Sequence, residues 1–188
     1  DLMAFKKTQK VKDLRLDKNE FFDEGVEFLV KAPALKKLLT LSLAHNKLTD
    51  NAIDALASSE ILVNLQKLFL QGNRIGAKGL KALVASDTLS NLRLLYLNLN
   101  PIGDEGGEVL GGPGKMNQLE ELYLQKTGLK KKGLQILCES GNFKNLKLLS
   151  LSGNGLDDPA AELICNSTAF PELKTLDLYN NKISDHVV

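Results

Sequence analysis

Apolar residues recur along this chain in a fixed rhythm. The phrase L-x-x-L-x-L returns every 27 residues. "LRLDKNEF" (14–21) is followed by "LSLAHNKL" (41–48), "LFLQGNRI" (68–75), "LYLNLNPI" (95–102), "LYLQKTGL" (122–129), "LSLSGNGL" (149–156) and "LDLYNNKI" (176–183). Seven copies in step, without insertion or deletion, predict a single repeat domain over 1–188. Of the 21 leading apolar positions, 20 are leucine and the exception is Val11. Their period of two predicts a short strand with one buried face in each copy.

The second half of each copy reads as a helix. In "IGAKGLKALVAS" (75–86), Ile75, Leu80 and Leu83 recur at helical spacing. A small residue falls in the same slot of six copies, as Gly25, Ala52, Gly79, Gly106, Gly133 and Ala160, and lets the helix approach its neighbours. Asp23, Asp50, Asp104 and Asp158 lie near the helix starts, where an aspartate caps free N–H groups and meets the positive end of the dipole. Between strand and helix stand Asn19, Asn46, Asn73, Asn100, Asn154 and Asn181. An amide both donates and accepts, so a stacked ladder of these side chains is expected to satisfy the turn backbones. Thr127 interrupts that ladder in the fifth copy.

One copy cannot bury its leucines alone; stacking makes the core continuous. Strands pack about 4.8 Å apart and helices roughly 8–10 Å apart. The stack must therefore curve, with parallel strands on the concave side and short helices on the convex side.

These residues resemble the leucine-rich repeat superfamily, and specifically its ribonuclease-inhibitor-like subclass. "NRIGAKGLKALVAS" and "NPIGDEGGEVL" look closest to the 27-residue version common in bacterial proteins. The resemblance spans about residues 11–188 and implies an α/β fold, a right-handed horseshoe solenoid. It also implies a non-enzymatic scaffold that binds a protein partner, usually by the concave face. An enzyme regulator, of inhibitor or GTPase-activating type, is allowed by the resemblance alone. Leu2 falls on a helical position of a copy whose strand is absent, and "SDHVV" stops as a helix begins. The chain thus reads as a fragment of a longer array, and uncapped ends make self-association or a spacer role the alternative to recognition.

Residues between the strand leucines face the concave side. Phe69, Tyr96 and Tyr123 hold the same position in consecutive copies, with Gln71, Asn98 and Gln125 beside them and Leu94, Leu148 and Tyr179 nearby. The functional reading is an aromatic hot spot for a partner; the structural one is lateral stacking that steadies the sheet. Lys126, Lys130, Lys131 and Lys132 cluster at a helix start, which suits an acidic partner or an anion, or is a solvated lysine run.

Composition narrows the classes. A formal charge of +1 gives no global pull toward nucleic acid, and lysines without interleaved aromatics argue against specific nucleic-acid binding. No apolar run approaches a membrane span. Cys138 and Cys165, one repeat apart on the helix side, are expected to be too far apart for a disulfide and to be reduced core thiols. Together with the lack of a visible signal sequence they favour a cytoplasmic location, although the chain begins at Asp1 and a removed leader would leave no trace. Asn166-Ser167-Thr168 is a glycosylation sequon by pattern only. "GGEVLGGPGK" (106–115) lacks the Ser or Thr after Lys that a phosphate loop needs and ends a helix rather than opening one. It is expected to be a short, poorly formed helix. His45 and His186 pair with no nucleophile or ligand by register, and Asp13 and Asp17 flank Arg15 as an ion pair. No metal, cofactor or catalytic constellation is expected.

Overall fold

The computed structural model describes residues 11–185; His186 and the partial copy around Leu2 lie outside them. Seven strands form one parallel sheet in sequence order: β1 (Asp13–Arg15), β2 (Thr40–Ser42), β3 (Lys67–Phe69), β4 (Leu94–Tyr96), β5 (Glu121–Tyr123), β6 (Leu148–Ser150) and β7 (Thr175–Asp177). Six helices alternate with them: α1 (Asp23–Leu29), α2 (Asp50–Ala57), α3 (Ala77–Ala85), α4 (Gly103–Gly111), α5 (Lys131–Cys138) and α6 (Asp158–Cys165). A short 3₁₀ turn at Pro33–Leu35 belongs to the first return loop.

Register follows the repeat. Leu14, Leu41, Leu68, Leu95, Leu122, Leu149 and Leu176 pair strand to strand in one line. From Leu41 to Leu149 they are buried, and with Leu80, Leu110, Leu134 and Ile164 they form one core between sheet and helices.

The turn asparagines join adjacent copies. Asn73 Oδ1 accepts from the N–H groups of Asn46 and Leu48, both at 3.0 Å, while its amide donates to the carbonyls of Leu43 and Leu70. Asn46, Asn154 and Asn181 bridge in the same way, Asn100 accepts from Ile75 alone among the described residues, and the Asn19 amide donates to the Leu16 and Asp17 carbonyls of its own copy. The Thr127 N–H donates to Asn154 Oδ1 (2.9 Å) and its hydroxyl to the Leu124 carbonyl (2.9 Å); the hydroxyl accepts nothing from the fourth copy. There the Ile102 N–H turns back to the Asn100 carbonyl instead (2.9 Å).

Two expectations need correction. The aspartates do not cap their own helices. Asp50 accepts from the Gly76 N–H (2.8 Å), Asp104 from those of Lys130 and Gly133 (2.7 and 2.9 Å), and Asp23 from that of Thr49, so each ties down the next copy's helix start; Asp158 likewise accepts from the Ser184 N–H in the seventh copy. The glycine-rich stretch is not poorly formed either: α4 is nine residues long, as is α3. Its glycines serve close packing. A Cβ on Gly107 would lie 2.8 Å from Gly133 Cα, and one on Gly111 2.6 Å from the Ile136 carbonyl oxygen.

Candidate functional site

Strand alternation turns every second residue away from the core, and parallel register lines these residues up in columns. The central column reads Arg15, Ser42, Phe69, Tyr96, Tyr123, Ser150, Asp177. Its aromatic rings stack. Phe69 and Tyr96 lie 5.0 Å apart at 25°, and Tyr96 and Tyr123 3.8 Å apart at 13°. Stacked rings turn their edges and hydroxyls, rather than their faces, toward an approaching partner. All three are half-buried, as are Leu94, Leu148, Gln71, Asn98 and Gln125 around them, whereas Tyr179 stands 81% exposed on the last strand.

Polar contacts steady the row. The Tyr123 hydroxyl donates to Glu121 (2.9 Å). Burial first, then hydrogen bonding to Tyr96 and Glu121, raises its ionisation far above the ordinary tyrosine range, so the ring stays neutral. Each end of the row closes on a serine held by an aspartate. Ser42 donates to Asp17 and Ser150 to Asp177, both at 2.5 Å. The Ser150 bond is the main reason that the Asp177 carboxyl sits below its ordinary value, helped by the Tyr179 N–H. These small residues are more enclosed than their outward register suggests: Ser42, Ala44 and Ser150 are buried.

Other candidates are placed differently. Arg15 bonds Asp13 (3.1 Å), the ion pair read from sequence, while Asp17 turns to Ser42. The lysines at the start of α5 do not converge on one anion site. Lys132 pairs with Glu108 (2.6 Å), Lys130 Nζ donates to the Asn154 carbonyl, and the Lys126 stem packs on Gly153. Cys138 is buried, and that burial pushes its thiol up to about 11. Cys165 is exposed, contrary to the expectation of a core thiol, although it ends α6 just as Cys138 ends α5; neither cysteine is in a disulfide. Among the described residues no three His, Cys, Asp or Glu side chains gather as metal ligands, and no helix is long and apolar enough to cross a membrane.

Several columns escaped the sequence reading although they share the same period. Ser59, Ser86 and Ser167 donate to carbonyls near the end of the preceding helix, Asn64, Asn91 and Asn145 to the preceding return loop. Glu120 takes Arg93 (3.0 Å) on one side and Lys147 (2.7 Å) on the other, fencing the edge of the aromatic patch. Across the amide column from that fence, Leu99 is 48% exposed with φ +57°. Aligning every position at the repeat period, rather than the leucines alone, would have found the serine and asparagine columns; nothing in the pattern marks Leu99.

A family model described as leucine-rich repeat matches residues 34–57, 62–84, 88–111 and 144–165. None of the curated proteins matches the chain. Among solved structures, the chain is similar to an internalin (inlF) from Listeria monocytogenes, with 25% identity and a TM-score of 0.56, over 80% of this chain and 38% of that one. It is also similar to a chain of the Rad7 and Elc1 complex in yeast, with 20% identity and a TM-score of 0.62, over 90% of this chain and 43% of that one. The chain thus spans less than half the length of either structural relative. Parallel strands in sequence order, alternating helices and four segments that fit the family model make this chain a leucine-rich-repeat protein.

Proposed function

We propose that the chain is a recognition scaffold whose protein partner sits on the concave face, centred on copies three to five. The observation that carries this reading is the stacked row of Phe69, Tyr96 and Tyr123, half-buried and bordered by Leu94 and Leu148. Aromatic anchors already ordered by their neighbours lose little side-chain entropy on binding. Gln71, Asn98 and Gln125 run alongside as hydrogen-bonding groups, and Tyr179 and Leu99 extend the contact surface. The finer assignment to the ribonuclease-inhibitor-like subclass is part of the same proposal. It is supported by the 27-residue period and by regular helices of seven to nine residues opposite the strands.

A random dodecapeptide library displayed on phage tests the reading. Binders selected on the intact protein should lose roughly thirtyfold in affinity on Tyr96→Ala, the scale of a hot-spot truncation, while the melting temperature changes little. Binders indifferent to Tyr96→Ala would return the row to a purely structural role.

A further inference from the structure

One carboxylate sits inside the apolar patch of the concave face. In the column beside the aromatic row, the order across β4, β5 and β6 is Leu94, Glu121, Leu148. All three side chains are half-buried. The Tyr123 hydroxyl donates to Glu121 Oε2 (2.9 Å) and holds the carboxylate against the row, leaving Oε1 to solvent or to a partner. Among the described residues no lysine or arginine forms an ion pair with Glu121. The cations at the edge of the patch, Arg93 and Lys147, both bind Glu120 instead. Lys67 belongs to the same column but stands two strands away, with Leu94 between.

Other acceptors on this face lack donors too. Gln71 Oε1 beside Phe69 and Gln125 Oε1 beside Tyr123 are buried without hydrogen-bond partners among the described residues. The Gln125 amide nitrogen turns to Asp177, so exchanging the two ends of that amide would only set two acceptors together. Asp177 itself is met by neutral donors alone, chiefly the Ser150 hydroxyl and the Tyr179 N–H. Buried acceptors are nearly always paired in folded proteins, and donors on a bound segment would pair these.

A partner that covers Tyr96, Tyr123 and both leucines also covers Glu121. An unpaired carboxylate taken out of water opposes binding strongly, whereas a cation set against it makes a charge-assisted hydrogen bond. The flanking leucines suit the methylene stem of a basic side chain, which lies along apolar surface while its charged head reaches the acid.

We propose that the concave face selects its partner by charge: the segment seated on the aromatic row carries an arginine or lysine that pairs with Glu121, its stem lying against Leu94 or Leu148. Glu121 is then the residue that sets specificity, because an apolar segment of the same shape would leave it buried and unpaired. This rests on the reading of the row as a binding surface and names the chemistry of what binds there.

Dodecapeptides selected from the phage library on the intact protein test it. Those that depend on Tyr96 should share one basic position. Norleucine at that position keeps a stem and removes the charge, and should weaken binding roughly thirtyfold or more. Glu121→Gln should weaken the basic peptide to a similar degree and leave the norleucine peptide unchanged, with the melting temperature unaltered. Tyr96-dependent peptides that share no basic position, that tolerate norleucine, or that bind Glu121→Gln as tightly as the intact protein would overturn the proposal and leave the recognition surface standing. Peptides indifferent to Tyr96→Ala, or a library that yields no binder, would overturn both. The norleucine comparison uses the intact protein and decides alone if Glu121→Gln does not fold.

Discussion

At the residue scale, the turn asparagines show how a polar side chain comes to be fully buried. Asn73 is 6% exposed, yet both ends of its amide are bonded: the oxygen to two N–H groups, the nitrogen to two carbonyls. Removing the amide leaves three buried backbone groups without partners, since the Leu70 carbonyl keeps the Asn100 amide, and each unsatisfied group costs about 1–3 kcal/mol. Asn73→Ala should therefore lower stability by about 3 kcal/mol or more, measured by urea unfolding. Asn19→Ala, at an exposed position, should cost under about 1 kcal/mol. Comparable losses at the two sites would remove burial as the source of the effect. The ladder was legible in the sequence because asparagine recurs at a single phase, just past each strand, where a turn needs a side chain that both donates and accepts. The Ser42–Asp17 and Ser150–Asp177 bonds were not legible, since they join residues in different copies that no local pattern couples.

At the scale of elements, the starts of α2, α3 and α5 are held by an aspartate of the preceding copy, whereas α6 is capped by its own Asp157. α5 has no side-chain cap of its own, and Asp104 in α4 accepts from both Lys130 and Gly133. Asp104→Ala should lower stability by about 1–2 kcal/mol, the usual worth of a cap. Glu105→Ala, exposed in the same helix turn, should leave the melting temperature unchanged. Equal effects from the two substitutions would show general helix charge, rather than the inter-copy bond, to be what matters. The glycines of α4 carry the same lesson. Their helix penalty of about 0.5–1 kcal/mol each suggested a weak element, but the missing side chains let α4 and α5 approach at Gly107 and Gly133. Propensity is a property of one segment, whereas that approach is a property of two.

At the scale of the whole molecule, burial declines toward the two ends of the described stack. Leu68, Leu95 and Leu122 are fully buried, while Leu14 in β1 and Leu176 in β7 remain half-buried. Because each copy is stabilised by packing on its neighbours, opening should begin where the strand leucines are least buried. Native-state hydrogen exchange of this chain should therefore be faster for strand amides of β1 and β7 than for those of β3 to β5. Uniform protection along the sheet would contradict nearest-neighbour stacking.

The repeat, its pitch, the alternation of strand and helix, and the columns on which leucine, asparagine and the aromatic rings fall are all written into the order of residues. Those follow from local periodicity, since an insertion-free repeat maps equal phase to equal position. Tertiary structure alone decided which partner each polar group takes: that aspartates cap the next helix, that Cys165 faces solvent, and that the α5 lysines find separate partners. These outcomes depend on distances between residues about one repeat apart in sequence but adjacent in space, which composition and phase leave open.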